Sequence, residues 1–148
     1  MDIYTGGFPN SSNSIHQGPN PFVTNLRQDV LNNTNFFTTR WTGLYMQMGL
    51  MTIPVSGQSG LDMFINFDQI YYIEQGLASV AMGTIRESLD FQARAYSGFS
   101  IFIPARTWNN VYNVGNIDLK MSVTIAPPFF PHDTNFKMFE DWVPTKYY

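Results

Sequence analysis

Residues 60–83 read GLDMFINFDQIYYIEQGLASVAMG. Three strand segments fill this stretch: GLDMFINF (60–67), DQIYYIEQG (68–76) and LASVAMG (77–83). The last two meet at Gly76 with no linker between them. That predicts a tight hairpin, because glycine takes the positive backbone angles of such a reversal without steric cost.

Toward the C-terminus the series continues with FSIFIPA (99–105), TWNNVYNVG (107–115) and DLKMSVTIAPP (118–128). In the last of these, Leu119, Met121, Val123 and Ile125 alternate with Lys120, Ser122 and Thr124. A period of two belongs to a strand with one face toward a core. Toward the N-terminus, LYMQMGLMTIP (44–54) reads as a long apolar strand closed by Pro54, and β structure is expected from Phe36 onward. FVTNLRQDVLNNT (22–34) reads as a short strand or one helical turn. TIRESLDFQARA (84–95) holds four charges and reads as an exposed excursion between strands. Short strands separated by Gly, Pro and Asn turns predict an all-β sandwich or barrel.

Both ends differ from this middle. Residues 1–21, MDIYTGGFPNSSNSIHQGPNP, are rich in Gly, Asn, Ser and Pro and read as an extended arm. The barrel then occupies 22–134, and NFKMFEDWVPTKYY (135–148) forms an aromatic tail. Phe136, Phe139 and Trp142 lie three apart, on one side of a helical turn. With Tyr147 and Tyr148 they either fold back on the barrel or meet a partner.

The chain of 148 residues is one domain by length. Charged residues make up only 13%, with a net charge of −3 and eight scattered Lys and Arg. No basic stripe exists for nucleic acid, and no apolar run approaches the ~20 residues of a membrane span. There are no cysteines, so disulfides, thiolate catalysis and Cys-based zinc sites are excluded. The opening MDIYTGGFPNSS lacks the basic and apolar regions of a secretory signal. A surface this poor in charge repels copies of itself weakly, which permits self-association.

Residues 60–83 resemble the first motif of the cupins, and FSIFIPARTWNNVYNVGNIDLKMSVTIAPPFFPHDT (99–134) resembles the second. The match is to small single-domain bacterial cupins, including those of spore-formers. It covers about residues 20–134 and implies a double-stranded β-helix, or jelly-roll barrel, often paired into homodimers. The resemblance also implies a metal held by two histidines and a carboxylate or glutamine from the first motif and a histidine from the second. Carried over position by position, these are Phe64, Asn66, Gln69 and Asn109. No histidine remains, and phenyl and carboxamide groups are poor ligands for such metals. A further histidine of the related group corresponds to Phe136. The glycine before the threonine of the second motif is Arg106.

The expected site is therefore a metal-free, degenerate cupin pocket of Phe64, Asn66, Gln69 and Asn109, with Tyr71 and Trp108 lining it. Phe64 fills the space of a metal, and the three amides hydrogen-bond to one another or to a trapped water. A small neutral ligand such as a sugar is the alternative occupant. His132 beside Asp133, and Glu74 and Asp68 beside a motif strand, read as loop and rim residues. No base–nucleophile pair, phosphate loop or nucleophile elbow is present, so no catalysis and no cofactor are expected. The expectation is a structural protein that self-assembles into a filament, lattice or coat, its arm contacting neighbouring subunits. A bacterial spore or cell surface is a setting consistent with the resemblance. A carbohydrate-binding cupin or a cupin enzyme with a degenerate site is the alternative.

Overall fold

A computed structural model describes residues 15–142. The elements are α1 (Leu26–Asn32), β1 (Phe37–Thr42), β2 (Gln47–Ile53), β3 (Asp68–Gln75), β4 (Leu77–Gly83), β5 (Phe91–Tyr96), β6 (Ser100–Ile103), β7 (Trp108–Asn113), β8 (Leu119–Ala126), β9 (Asn135–Phe136) and α2 (Phe139–Trp142). They form a six-stranded sheet ordered β6-β3-β8-β2-β1-β9 and a three-stranded sheet ordered β5-β4-β7. The named pairings are all antiparallel. This is an all-β fold, as the strand series predicts, in the jelly-roll form that the cupin resemblance implies.

Gly76 makes the turn from one sheet to the other. Its φ is 104°, and a Cβ there would stand 2.8 Å from the Leu119 backbone. A side chain is excluded both by conformation and by the close approach of β8. The tight hairpin expected at Gly76 does not form: β3 and β4 do not pair, because the turn sends β3 into the large sheet and β4 into the small one, and the core lies between them. Tyr71, Ile73, Met121, Val123 and Ile125 meet Ala78, Val80 and Val111 there.

Strand β8 is covered on both faces, which its alternation alone does not convey. Leu119, Met121, Val123 and Ile125 are buried as expected, but Lys120 and Ser122 are buried too. The reason is α1, which crosses the outer face. The Lys120 ammonium donates to the Leu31 and Asn33 carbonyls at 2.8 and 2.7 Å, at the end of that helix. A cation there satisfies open carbonyls and complements the helix dipole. At the other end, the Asn25 side chain accepts from the Gln28 amide, a helix N-cap. Of the two expectations for 22–34, the helical one holds.

Three segments differ from expectation. The excursion 84–95 contains β5, an edge strand of the small sheet. Its charges lie in the turn and on an exposed strand, so an edge strand and a loop look alike in sequence. Residues 60–67 are not a strand. Asp62 makes an isolated bridge to Asn109, and the segment crosses the end of the barrel. Residues 44–46 are not the start of β2 but the apolar tip of the β1–β2 hairpin, closed by the Gly43 amide on the Met46 carbonyl at 2.9 Å.

The arm lies within the description only from Ile15, and residues 1–14 fall outside the described residues. Gln17 bridges to Trp41 in parallel, and the buried His16 meets the Thr42 hydroxyl at 2.8 Å. Arg40 donates to the Ile15 carbonyl. Of the tail, residues 143–148, with Tyr147 and Tyr148, are likewise outside the described residues. Its first part folds back. Trp142 is buried against Phe36, Phe37 and Phe130, with centroids 5.1–5.8 Å apart, and donates its indole N–H to the Ser59 carbonyl.

Candidate functional site

The inward face of β3 carries Gln69 and Tyr71, two residues apart and therefore on one side of the strand. Both are buried, and the Tyr71 hydroxyl donates to Gln69 Oε1 at 3.2 Å. Asn109, Val111 and Asn113 share the inward face of β7 and are buried. The Asn109 amide donates to the Asp62 and Thr107 carbonyls at 3.2 and 3.1 Å. Phe64 is buried against Phe67 and Phe129, with ring centroids 4.3 and 5.7 Å away. The three rings pack on one another and fill this part of the interior with aromatic surface.

Two of the expected lining residues stand apart. Asn66 is exposed in the turn before β3. Trp108 precedes Asn109 on β7 and so faces the other side of the sheet, where the Arg86 guanidinium lies 5.6 Å from its ring. The amides also do not form the expected network. Among the described residues, no hydrogen bond joins Asn66, Gln69 and Asn109 to one another. Gln69 is engaged by a phenol and Asn109 by backbone carbonyls, because the crossing segment 60–67 brings its own carbonyls to β7.

That crossing also brings in a residue the sequence reading passed over. Asp62 is buried, exchanges backbone hydrogen bonds with Asn109 at 3.0 and 2.8 Å, and accepts from the Met63 amide at 2.8 Å. Burial, and after it the negative charge of Asp62, push the Tyr71 phenol well above the ordinary tyrosine range. Tyr71 is therefore a neutral hydrogen-bond donor throughout the working pH range. Asp62 lies two residues before Phe64, a spacing that would have flagged it had 60–67 been read as a lining segment.

The metal that the resemblance implies is not matched by these residues. Among the described residues, Asp62, Gln69, Asn109 and Tyr71 offer one carboxylate, two neutral amides and a protonated phenol, and the first-motif position is the phenyl ring of Phe64. Among the described residues no group of three His, Asp or Glu side chains converges. Iron, manganese, nickel and zinc sites call for imidazole and carboxylate donors in number. The position of the related group's further histidine is Phe136, which packs against Phe37, Phe130 and Trp142. Arg106 sits where the related group has glycine, and its φ of 65° shows why glycine suits that turn.

Three cavities among the described residues lie away from Gln69, Tyr71 and Asn109. One of about 290 Å³ opens between β5 and β6. One of about 520 Å³ lies along the 129–136 loop. One of about 480 Å³ lies beside the β1–β2 hairpin.

No profile of an established protein family matches the chain. It is 36% identical to the crystal structure of BH2720 from Bacillus halodurans, with a TM-score of 0.86 over 88% of this chain and 98% of that one. It is 41% identical over 117 residues to YrkC of Bacillus subtilis, covering 79% of this chain. The chain spans 63% of the length of YrkC. The cupin domain of Schizosaccharomyces pombe Cnp3 shares the fold at 14% identity, with a TM-score of 0.56 over 62% of this chain and 64% of that one.

Proposed function

The chain is a small bacterial-type cupin, and from that premise we propose that it is a non-catalytic structural subunit that assembles with copies of itself, residues 1–14 of one copy lying along an open strand edge of the next. The observation that carries this reading is the opening between β5 and β6. Phe91 and Ala93 lie on the same side of the small sheet as Val80 and Met82, with which they pair in register. That side faces the core, yet Phe91 is 58% exposed and Ala93 is exposed. Across the opening, Phe102 and Phe99 are also exposed. Two strand edges that are unpaired among the described residues flank an apolar slot and make a template for an added strand.

The arm has suitable chemistry and reach. MDIYTGGFPNSSNS carries Met1, Ile3, Tyr4 and Phe8 among small and polar residues. Fourteen extended residues span ~46 Å. The arm is rooted beside β1, near one end of the large sheet, whereas β6 is the edge at the other end. Root and slot on opposite sides favour donation to a neighbour, a head-to-tail contact that propagates when it does not close. The aromatic rings around Phe64 and the poor donor set inside the barrel oppose metal-dependent catalysis.

Negative-stain electron microscopy and light scattering of the full chain and of a form lacking residues 1–14 test the reading. Ordered polymers from the full chain, lost on truncation, are expected. The same small species in both samples would overturn it. The polar set of Asp62, Gln69 and Tyr71 favours a second reading, a small neutral ligand in the barrel, and would then be the place to look.

A further inference from the structure

The outer edge of β1 is completed by two short pieces of chain. Residues 134–136 cover its first half: Phe37 and Thr38 pair with Phe136 and Asn135, and the Thr39 amide donates to the Thr134 carbonyl at 2.9 Å. Residues 15–17 cover its second half. The Gln17 amide donates to the Arg40 carbonyl at 2.8 Å, and the Thr42 amide donates to the Gln17 carbonyl at 3.1 Å. The Arg40 guanidinium donates to the Ile15 carbonyl. Where the two pieces meet, His16 of one lies against His132 and Asp133 of the other. The imidazole centroids are 4.8 Å apart, and His16 Nδ1 is 3.8 Å from Asp133 Oδ1.

This seam is built for an uncharged imidazole. The His16 ring is 6% exposed. The Thr42 hydroxyl oxygen accepts from Gln47 Nε2 at 2.9 Å, which leaves its hydrogen to donate to His16 Nε2 at 2.8 Å. A neutral imidazole accepts that bond, whereas an imidazolium has only donors to offer. The charges around the ring are Arg40 from β1, with Asp29 of α1 bonded to it at 2.9 Å, and His132 and Asp133 from the loop. Asp133 is the carboxylate that favours a proton on His16, and it is 56% exposed, so water and salt weaken its field.

We propose that the seam of His16, His132 and Asp133 is an acid-sensitive latch: as the pH falls through the range in which histidine charges, residues 15–17 leave the edge of β1. Burial, His132 and Arg40 hold His16 below its ordinary range against the pull of Asp133. Its proton therefore binds more tightly once the piece is released, and acid drives the opening. The latch is intact above the free value of 6.5 and is lost as the pH drops below it. Release opens the edge at residues 40–42, whose backbone groups can then pair with another strand, and adds residues 15–17 to the stretch that can reach a neighbour. The role of this release in assembly rests on the arm reading, whereas the latch itself stands on the seam.

Hydrogen exchange of the full chain, followed by mass spectrometry and corrected for the intrinsic pH dependence of amide exchange, tests the latch. Protection at the Gln17 and Thr42 amides is expected to fall about tenfold between pH 7 and 5, and by no more than about tenfold per pH unit, the limit for one proton. Protection at Val123 in β8 is expected to hold. Two substitutions should act in opposite senses: Asp133→Asn deepens the loss at pH 5, and His132→Gln lessens it. Protection at Gln17 and Thr42 that is level from pH 7 to 5, or that shifts alike in both variants, would overturn the latch. So would an equal loss at Val123, which would mean general acid unfolding. Acid release without arm-dependent polymers would sink the arm reading and leave the latch standing; arm-dependent polymers with a pH-insensitive edge would do the reverse.

Discussion

Gln47 is fully buried at the start of β2 and makes four hydrogen bonds. Its Nε2 donates to the Thr42 hydroxyl at 2.9 Å and to the Phe130 carbonyl at 2.8 Å. Its Oε1 accepts from the Phe129 and Phe130 amides at 3.3 and 3.0 Å. One side chain thus ties the first hairpin to the loop whose rings close over Phe64 and Phe67. Gln47→Leu keeps much of the volume and removes every bond. Thr42 retains His16, and the half-buried Phe129 amide can turn to water. Phe130 is buried, however, so its N–H and C=O lose their partner where no water replaces it. Each such group costs ~1–3 kcal/mol, partly offset by the better transfer of a leucine into the core, so a net loss of about 3 kcal/mol is expected. For a chain of this size that is a fall of Tm on the order of 10 °C. Urea unfolding followed by tryptophan fluorescence reads it, with an unchanged m-value marking a native-state effect. A Gln47→Leu chain within about 0.5 kcal/mol of wild type would show that these four bonds do not hold the loop, and the account of the aromatic packing at Phe64 would have to be rebuilt.

Two further predictions concern the arm root and a turn. His16 is held below its ordinary range by burial first, then by His132, whose ring is 4.8 Å away, and by Arg40, with Asp133 at 3.8 Å opposing them. A base whose pKa is depressed on folding is protonated more readily in the unfolded chain, so its contribution is intact above the unfolded value of 6.5 and is lost as pH falls below it. Wild type should therefore lose stability relative to His16→Gln as pH drops from 7 to 5, by at most ~1.4 kcal/mol per pH unit; parallel pH profiles would refute the assignment. Arg106 adopts a φ of 65° in a turn where its side chain is exposed. Arg106→Gly should relieve ~1–2 kcal/mol of left-handed strain against a smaller unfolded-state entropy cost, a net gain of roughly 0.5–1 kcal/mol in the same urea assay. A loss of stability would mean that the Arg106 side chain holds the turn.

The barrel was legible because its strands keep a two-residue period and its turns are marked by glycine and proline. Leu119, Met121, Val123 and Ile125 point inward as the alternation says, whereas Gly76 turns the chain into the second sheet and not back along β3. What was not legible depended on neighbours far along the chain. Lys120 looks solvated in sequence and is buried because α1, some ninety residues earlier, ends over it. Strand β5 looks like a loop because an edge strand with an uncovered face has no reason to alternate. Of the site, Phe64, Gln69, Tyr71 and Asn109 turn inward as their motif positions imply. Asn66 and Trp108 do not, because residues 60–67 cross to β7 without a strand's alternation and because Trp108 sits one residue out of phase with Asn109.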